Sequence, residues 1–70
     1  MIFTAILTEK ELGIDFVICK VNNREIAKSE AENFIDYNSG HEWSMEIQDE
    51  HGPDCFGEVN KEGEIVWTVA

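Results

Sequence analysis

The chain has very few basic residues. Five lysines and arginines stand against fifteen aspartates and glutamates in 70 residues, and the formal net charge is −10. Between Lys28 and Lys61 there is no basic residue at all. Nucleic-acid binding needs a basic footprint, and anionic membrane surfaces repel negative charge. We therefore expect neither direct nucleic-acid binding nor membrane binding.

Other features are also scarce. No hydrophobic run reaches the length that spans a bilayer, and the first residues carry no basic leader typical of export. Two cysteines, Cys19 and Cys55, are too few for a disulfide framework. The sequence therefore predicts one acidic α+β domain over residues 1–70, located in the cytoplasm, with both thiols reduced.

The residues that carry chemistry do not form a recognisable site. His41, His51 and Cys55 lack the paired short spacings of a zinc site, and the acidic segment after Asp49 lacks the alternating ligands of a calcium loop. Cys55 and His51 have no third group to orient them for nucleophilic catalysis. There is no glycine-rich phosphate loop. We expect no enzyme activity, no metal and no cofactor.

The N-terminal third predicts a β-hairpin. Residues 2–8 and 14–21 are rich in strand-forming types, and the turn between them ends in Gly13, which can adopt positive φ. Residues 16–19 are apolar at consecutive positions. This run predicts a central strand that is buried on both faces.

The next segment has two interpretations. Asn22 with Glu25 fits a capping box and predicts a helix over about 23–38. In the alternative, Asn22 begins a tight turn, 24–28 is a short strand, and Ser29 caps a shorter helix. Both interpretations agree on a helix over 29–38 that ends at Asn38-Ser39-Gly40. One apolar stripe follows the helical spacing: Ala27, Ala31, Phe34 and Ile35.

The remainder predicts three strands. Residues 42–48 alternate, with Trp43, Met45 and Ile47 on the buried face. A loop over 49–54, a strand over 55–60, a turn with Gly63 in the left-handed region and a strand over 64–70 follow.

The predicted fold class is α+β, a small antiparallel sheet of about five strands in the order hairpin, helix, three-stranded meander. One principal helix covers one face of the sheet. A second set of apolar residues, with Ile6, Val17 and Val66 among them, either packs under loops or forms a dimer seam or partner patch on the other face.

The charge pattern is the main functional signal. Carboxylates four apart on the helix, four apart on one face of a strand and crowded in one loop repel each other without adding stability. Either solubility or recognition accounts for them. We predict that these carboxylates bind a partner, with the aromatic side chains of Trp43 and Tyr37 as candidate anchors. The predicted partner-binding residues are Glu30, Glu32, Asp36, Tyr37, Glu42, Trp43, Glu46, Asp49, Glu50, Asp54 and Glu58.

A dense array of carboxylates is similar in charge to a line of phosphates, so it attracts proteins that bind nucleic acids. In size, charge and compactness the chain resembles the small acidic inhibitors of phages and mobile elements, such as anti-restriction and anti-CRISPR proteins. The resemblance implies a non-catalytic nucleic-acid mimic that binds a basic, nucleic-acid-binding protein or complex. The alternative is a small assembly module that forms a homodimer through the open sheet face, with acidity serving only solubility.

Overall fold

The computed structural model describes residues 1–38 and 40–70 as a five-stranded antiparallel sheet and one helix, which confirms the predicted α+β class. The strands lie in the order β2-β1-β3-β4-β5. In the described part of the chain, no helix has the length and apolar character needed to cross a membrane. The elements are β1 (Phe3–Glu9), β2 (Ile14–Val21), α1 (Arg24–Tyr37), β3 (Trp43–Asp49), β4 (Gly52–Val59) and β5 (Ile65–Val69).

The position of β2 differs from the prediction. The run 16–19 lies in an edge strand, with Phe16 and Val17 exposed and Ile18 and Cys19 partly buried, and not in a central strand buried on both faces. The helix carries the chain back after β2, so that β3 pairs with the free side of β1. Because β1 then has a neighbour on each side, it takes the protected position, and Ala5 and Leu7 on β1 are fully buried.

Strand β2 also contains a bulge. Ala5 pairs with Cys19 and the next residue, Ile6, pairs with Val17, so Ile18 has no partner on β1. An extra residue of this kind bends a strand and interrupts its ladder of hydrogen bonds. The outer edge of the sheet is therefore irregular in the middle of β2.

The helix follows the longer of the two predicted interpretations. The carboxamide oxygen of Asn23 accepts hydrogen bonds from the backbone N–H groups of Glu25 (2.8 Å) and Ile26 (3.2 Å), so Asn23 is the N-cap and not Asn22. Residues 24–28 are helical, and the alternative of a short strand there is wrong. The helix ends at Tyr37; of the predicted stop signal, Ser39 lies outside the described residues.

The core lies between α1 and the face of the sheet formed by β1, β2 and β3. Three predicted stripe residues, Ala27, Ala31 and Ile35, are buried there. The fourth, Phe34, is partly buried and packs edge-on against Trp43, with 5.4 Å between the ring centroids. Alanine at two of the contact positions lets the helix backbone come close to the sheet.

The predicted loop over 49–54 is mostly strand. β4 begins at Gly52, where φ is +117°, and Pro53 pairs with Gln48 of β3. The pairing of β4 with β5 begins only at Cys55, so no ladder hydrogen bond is lost at the proline. The proline and glycine that indicate a loop in the sequence therefore form the start of a strand. The predicted left-handed conformation of Gly63 is confirmed, with φ +86°.

Trp67 connects the outer strand β5 to the helix. Gly57 of the neighbouring β4 leaves room for this indole ring: a Cβ atom on Gly57 would lie 3.0 Å from the ring and 2.6 Å from Cε of Met45. The indole N–H donates a hydrogen bond of 2.9 Å to Glu32 of α1. Trp67 and Ile65 of β5 thus both pack against the core.

Candidate functional site

The predicted partner-binding residues divide into three groups that the sheet keeps apart. One group lies on α1, a second lies at the turn between β3 and β4, and a third lies on the face of the sheet opposite the helix. We call that opposite side the open face. Alternation along β3 defines it, because Met45 and Ile47 point to the core while Glu46 points the other way.

On the helix, Glu30, Asp36 and Tyr37 are exposed, Tyr37 to 89%. Glu32 differs, because its carboxylate accepts the hydrogen bond from Trp67 and is half-buried. The Lys28 ammonium lies 5.0 Å from the centroid of the same ring. Glu32 therefore has an evident role in holding β5 to the helix, which the sequence does not reveal.

At the β3–β4 turn, Glu50 is exposed and the carboxylate of Asp49 accepts a hydrogen bond of 2.7 Å from the backbone N–H of His51. Asp54 forms a two-pronged ion pair with Arg24, with Nε–Oδ2 2.5 Å and Nη2–Oδ1 2.9 Å. Hydrogen bonding to the guanidinium holds the pKa of Asp54 below its ordinary value of 3.8. The pair therefore favours the folded state above that ordinary pKa, and its contribution disappears as pH falls through the lowered one.

The open face carries Glu46 and Glu58, and Glu42 immediately precedes β3. Glu58 pairs with the Lys10 ammonium at 2.6 Å, and this contact raises the pKa of Lys10. Glu46 accepts a hydrogen bond from the side-chain amide of Gln48. Of the three carboxylates, Glu58 is thus the one with a cation directly beside it in the described part of the chain.

The expectation of an exposed anchor at Trp43 is wrong. The ring is 4% exposed, packs edge-on against Phe16 and Phe34, and donates its N–H to the carbonyl of Asn38 at 3.3 Å. The alternation of β3 places residue 43 on the core side, and that constraint outweighs its aromatic character. On the open face, the exposed aromatic side chain is Phe56.

The open face contains a concavity of about 270 Å³ between β2 and β4. Its floor is formed by the short side chains of Thr8 and Ser44, which are direct cross-strand partners. Longer side chains of Ile6, Glu46 and Phe56 occupy the adjacent cross-strand row and form one wall. The hollow is therefore a direct result of short residues placed beside long ones on neighbouring strands.

Asp15 closes the opposite side of this concavity and is not among the residues predicted from the sequence. Asp15 is the cross-strand partner of Thr8, whose hydroxyl donates a hydrogen bond of 2.6 Å to the Asp15 carboxylate. Asp15 and Glu46 lie on β2 and β3, which are separated by two strand spacings, about 9.6 Å. Strand register, rather than spacing along the chain, brings the two carboxylates to one hollow.

A different set of potential metal ligands lies close together near the β1–β2 turn. Oxygen or nitrogen atoms of Glu9, Glu11 and His41 lie within 4.8 Å of one another. The Glu9 carboxylate is buried, and its oxygens accept the backbone N–H groups of Glu11 (3.2 Å) and Leu12 (2.7 Å). These bonds give Glu9 a structural role in the turn. The possible metal ligands in the sequence were His41, His51 and Cys55. In the described structure, His41 lies near Glu9 and Glu11 instead.

Both cysteines are free. Cys55 is buried in β4 and Cys19 is half-buried in β2. Burial raises the pKa of each thiol. Nearby Asp54 raises the pKa of Cys55 further. Each thiol therefore stays protonated and weakly nucleophilic at neutral pH.

Comparisons with protein-family models, with curated proteins and with solved structures find no match to this chain.

Proposed function

We propose that this chain is a non-catalytic binding protein that presents carboxylates to a positively charged protein, in the manner of a nucleic-acid mimic. The partner class is a protein or complex that itself binds nucleic acid, because such a protein carries the basic surface that the carboxylates complement. The resemblance in profile to the acidic inhibitors of phages and mobile elements supports the same class.

The observation that carries the proposal is the scarcity of internal charge pairing. Among the described residues, two of the fifteen acidic side chains, Asp54 and Glu58, form ion pairs with lysine or arginine. The other carboxylates are not neutralised in this way, so their field extends into solvent. A field of one sign accelerates encounter with an oppositely charged partner and weakens as salt is added.

A second candidate function is supported by the apolar residues of the open face. Val17 is 61% exposed, and Phe56 and Val66 also reach solvent on this face. A second copy of the chain would bury them in an isologous dimer. Sedimentation at low and moderate salt distinguishes the two functions, because a dimer held by apolar contacts persists as salt is added and an electrostatic complex dissociates.

The test of the proposed function is affinity capture from a cell lysate with the immobilised chain. We expect it to retain basic nucleic-acid-binding proteins at about 0.05 M salt, and we expect salt of about 0.2 M or added double-stranded DNA to release them. A matched column carries Glu30→Gln, Asp36→Asn, Glu46→Gln and Glu50→Gln together. These changes remove four charges and leave the Glu32–Trp67 hydrogen bond and both ion pairs intact.

The control is a second variant with four charges removed elsewhere: Glu11→Gln, Glu25→Gln, Glu62→Gln and Glu64→Gln. If the proposed residues bind the partner, the first variant loses more of the captured protein than the second. Equal retention of basic proteins by the native chain and both variants contradicts the proposal.

A further inference from the structure

We infer that the concavity on the open face binds an arginine side chain of the basic partner. The inference rests on the proposed function and adds to it the docking face and the chemistry that it recognises. The hollow is lined by two carboxylates on opposite sides, by two hydroxyl groups on its floor, by a side-chain amide and by an aromatic ring: Asp15, Glu46, Thr8, Ser44, Gln48 and Phe56.

The electrostatics of the hollow favour a cation. The Asp15 carboxylate is bonded to the Thr8 hydroxyl and the Glu46 carboxylate to the Gln48 amide, and both of these partners are neutral. Neither partner carries a positive charge that would offset the carboxylate, and each carboxylate has further acceptor capacity. Among the described residues, neither lysine near this face neutralises the hollow: Lys10 pairs with Glu58, and Lys20 stands five positions along β2 from Asp15.

The shape and the aromatic wall favour arginine over lysine. A guanidinium group is planar, donates hydrogen bonds from both ends and is weakly hydrated, so it can reach carboxylates on two sides at once. It also stacks on aromatic rings. Phe56 is 40% exposed and is the direct cross-strand partner of Glu46, so the ring stands beside one of the two carboxylates. A lysine ammonium is a compact charge, so it bridges two separated carboxylates less well and does not stack on an aromatic ring as a planar guanidinium does.

Apolar side chains at the rim complete the contact. Ile6 lies on β1 between Val17 and Glu46, and Val17 is largely exposed. An arginine side chain has an apolar stem of three carbons that can cover such residues while its head group enters the hollow. The open face therefore combines charge complementarity with apolar contact, which distinguishes it from the carboxylates of the outer helix face.

The test uses hexa-arginine and hexa-lysine peptides as probes and measures affinity by titration calorimetry with the full chain. We expect hexa-arginine to bind several-fold more tightly than hexa-lysine at the same salt concentration. Asp15→Asn with Glu46→Gln should weaken hexa-arginine by about tenfold or more, since two charge-assisted hydrogen bonds are lost. The matched control, Glu25→Gln with Glu62→Gln, removes the same charge from exposed residues outside the hollow and outside the predicted partner-binding set, and it should have a clearly smaller effect.

Two further measurements identify the site. Phe56→Leu keeps the apolar character and removes the ring face, so it should reduce the preference for arginine over lysine. Amide NMR shifts on addition of hexa-arginine should be largest at Thr8, Ser44 and Glu46. Thermal melts of each variant verify that it remains folded.

The outcomes separate this inference from the proposed function. If the two double variants weaken hexa-arginine equally, or if both peptides bind alike, arginine recognition at the hollow is wrong while the general acidic binding remains. If neither peptide binds at low salt, the proposed function fails as well. A salt-stable homodimer that buries Ser44 and Phe56 assigns the open face to a second copy and overturns the inference.

Discussion

The indole ring of Trp67 on β5 is in contact with residues of two other elements, β4 and α1. It lies against Gly57 of β4, its N–H donates to Glu32 of α1, and the Lys28 ammonium lies over its face. The sequence indicates that Trp67 belongs to a strand, and the structure supplies its partner 35 positions away. No periodicity encodes such a long-range pair, so the internal role of Glu32 could not be predicted from the sequence.

Replacing Glu32 tests this internal role. Glu32→Ala removes the acceptor of a part-buried indole N–H and should lower the free energy of unfolding by about 1–2 kcal/mol. Glu32→Gln keeps an acceptor oxygen and should lose less. Urea denaturation followed by tryptophan fluorescence measures both variants. Equal stability of Glu32→Ala and the native chain would show that the hydrogen bond does not stabilise the fold.

At the scale of single elements, the features that follow from a regular sequence pattern were predicted correctly. The features that depend on neighbouring elements were not. The alternation of β3 and the apolar stripe of α1 were confirmed because each reflects one face packed on one core. The edge position of β2 was missed because strand order depends on the helix that returns the chain beside β1. The start of β4 was missed because β5 does not yet pair with β4 at Pro53, so the missing N–H of the proline removes no hydrogen bond between these strands.

The start of α1 provides an element-scale prediction. Asn23→Ala removes the side chain that accepts two backbone N–H groups, so we expect a loss of about 1 kcal/mol of stability. Asn22→Ala is the matched control and should change stability by clearly less. Chemical denaturation of the two variants compares them directly. A larger loss for Asn22→Ala would contradict the observed cap.

At the scale of the whole molecule, the net charge could be read from the sequence, but its distribution could not. The sequence suggests one acidic surface, whereas the structure separates the predicted residues into groups on the helix, at the β3–β4 turn and on the open face. Asp15 joins the open face only through its pairing with Thr8. Spacing along the chain cannot reveal that neighbour, because it depends on the register of two strands.

The same charge excess predicts how stability depends on salt. Self-repulsion in a chain of net charge −10 opposes the compact state, and salt screens it. We expect the melting temperature to rise by about 4 °C or more between about 0.01 and 0.15 M sodium chloride, the shift that about 1 kcal/mol produces in a domain of this size. Differential scanning calorimetry measures the shift. A melting temperature that is flat or falls with salt would mean that repulsion does not limit stability.

The bulge at Ile18 affects how molecules of this protein meet at high concentration. A long outer strand with apolar side chains normally templates the addition of further strands from other molecules, which leads to fibrils. Here the irregular centre of β2 prevents an incoming strand from forming a continuous set of backbone bonds along its length. Deleting Ile18 to straighten the strand would therefore shift this small protein toward ordered self-aggregation.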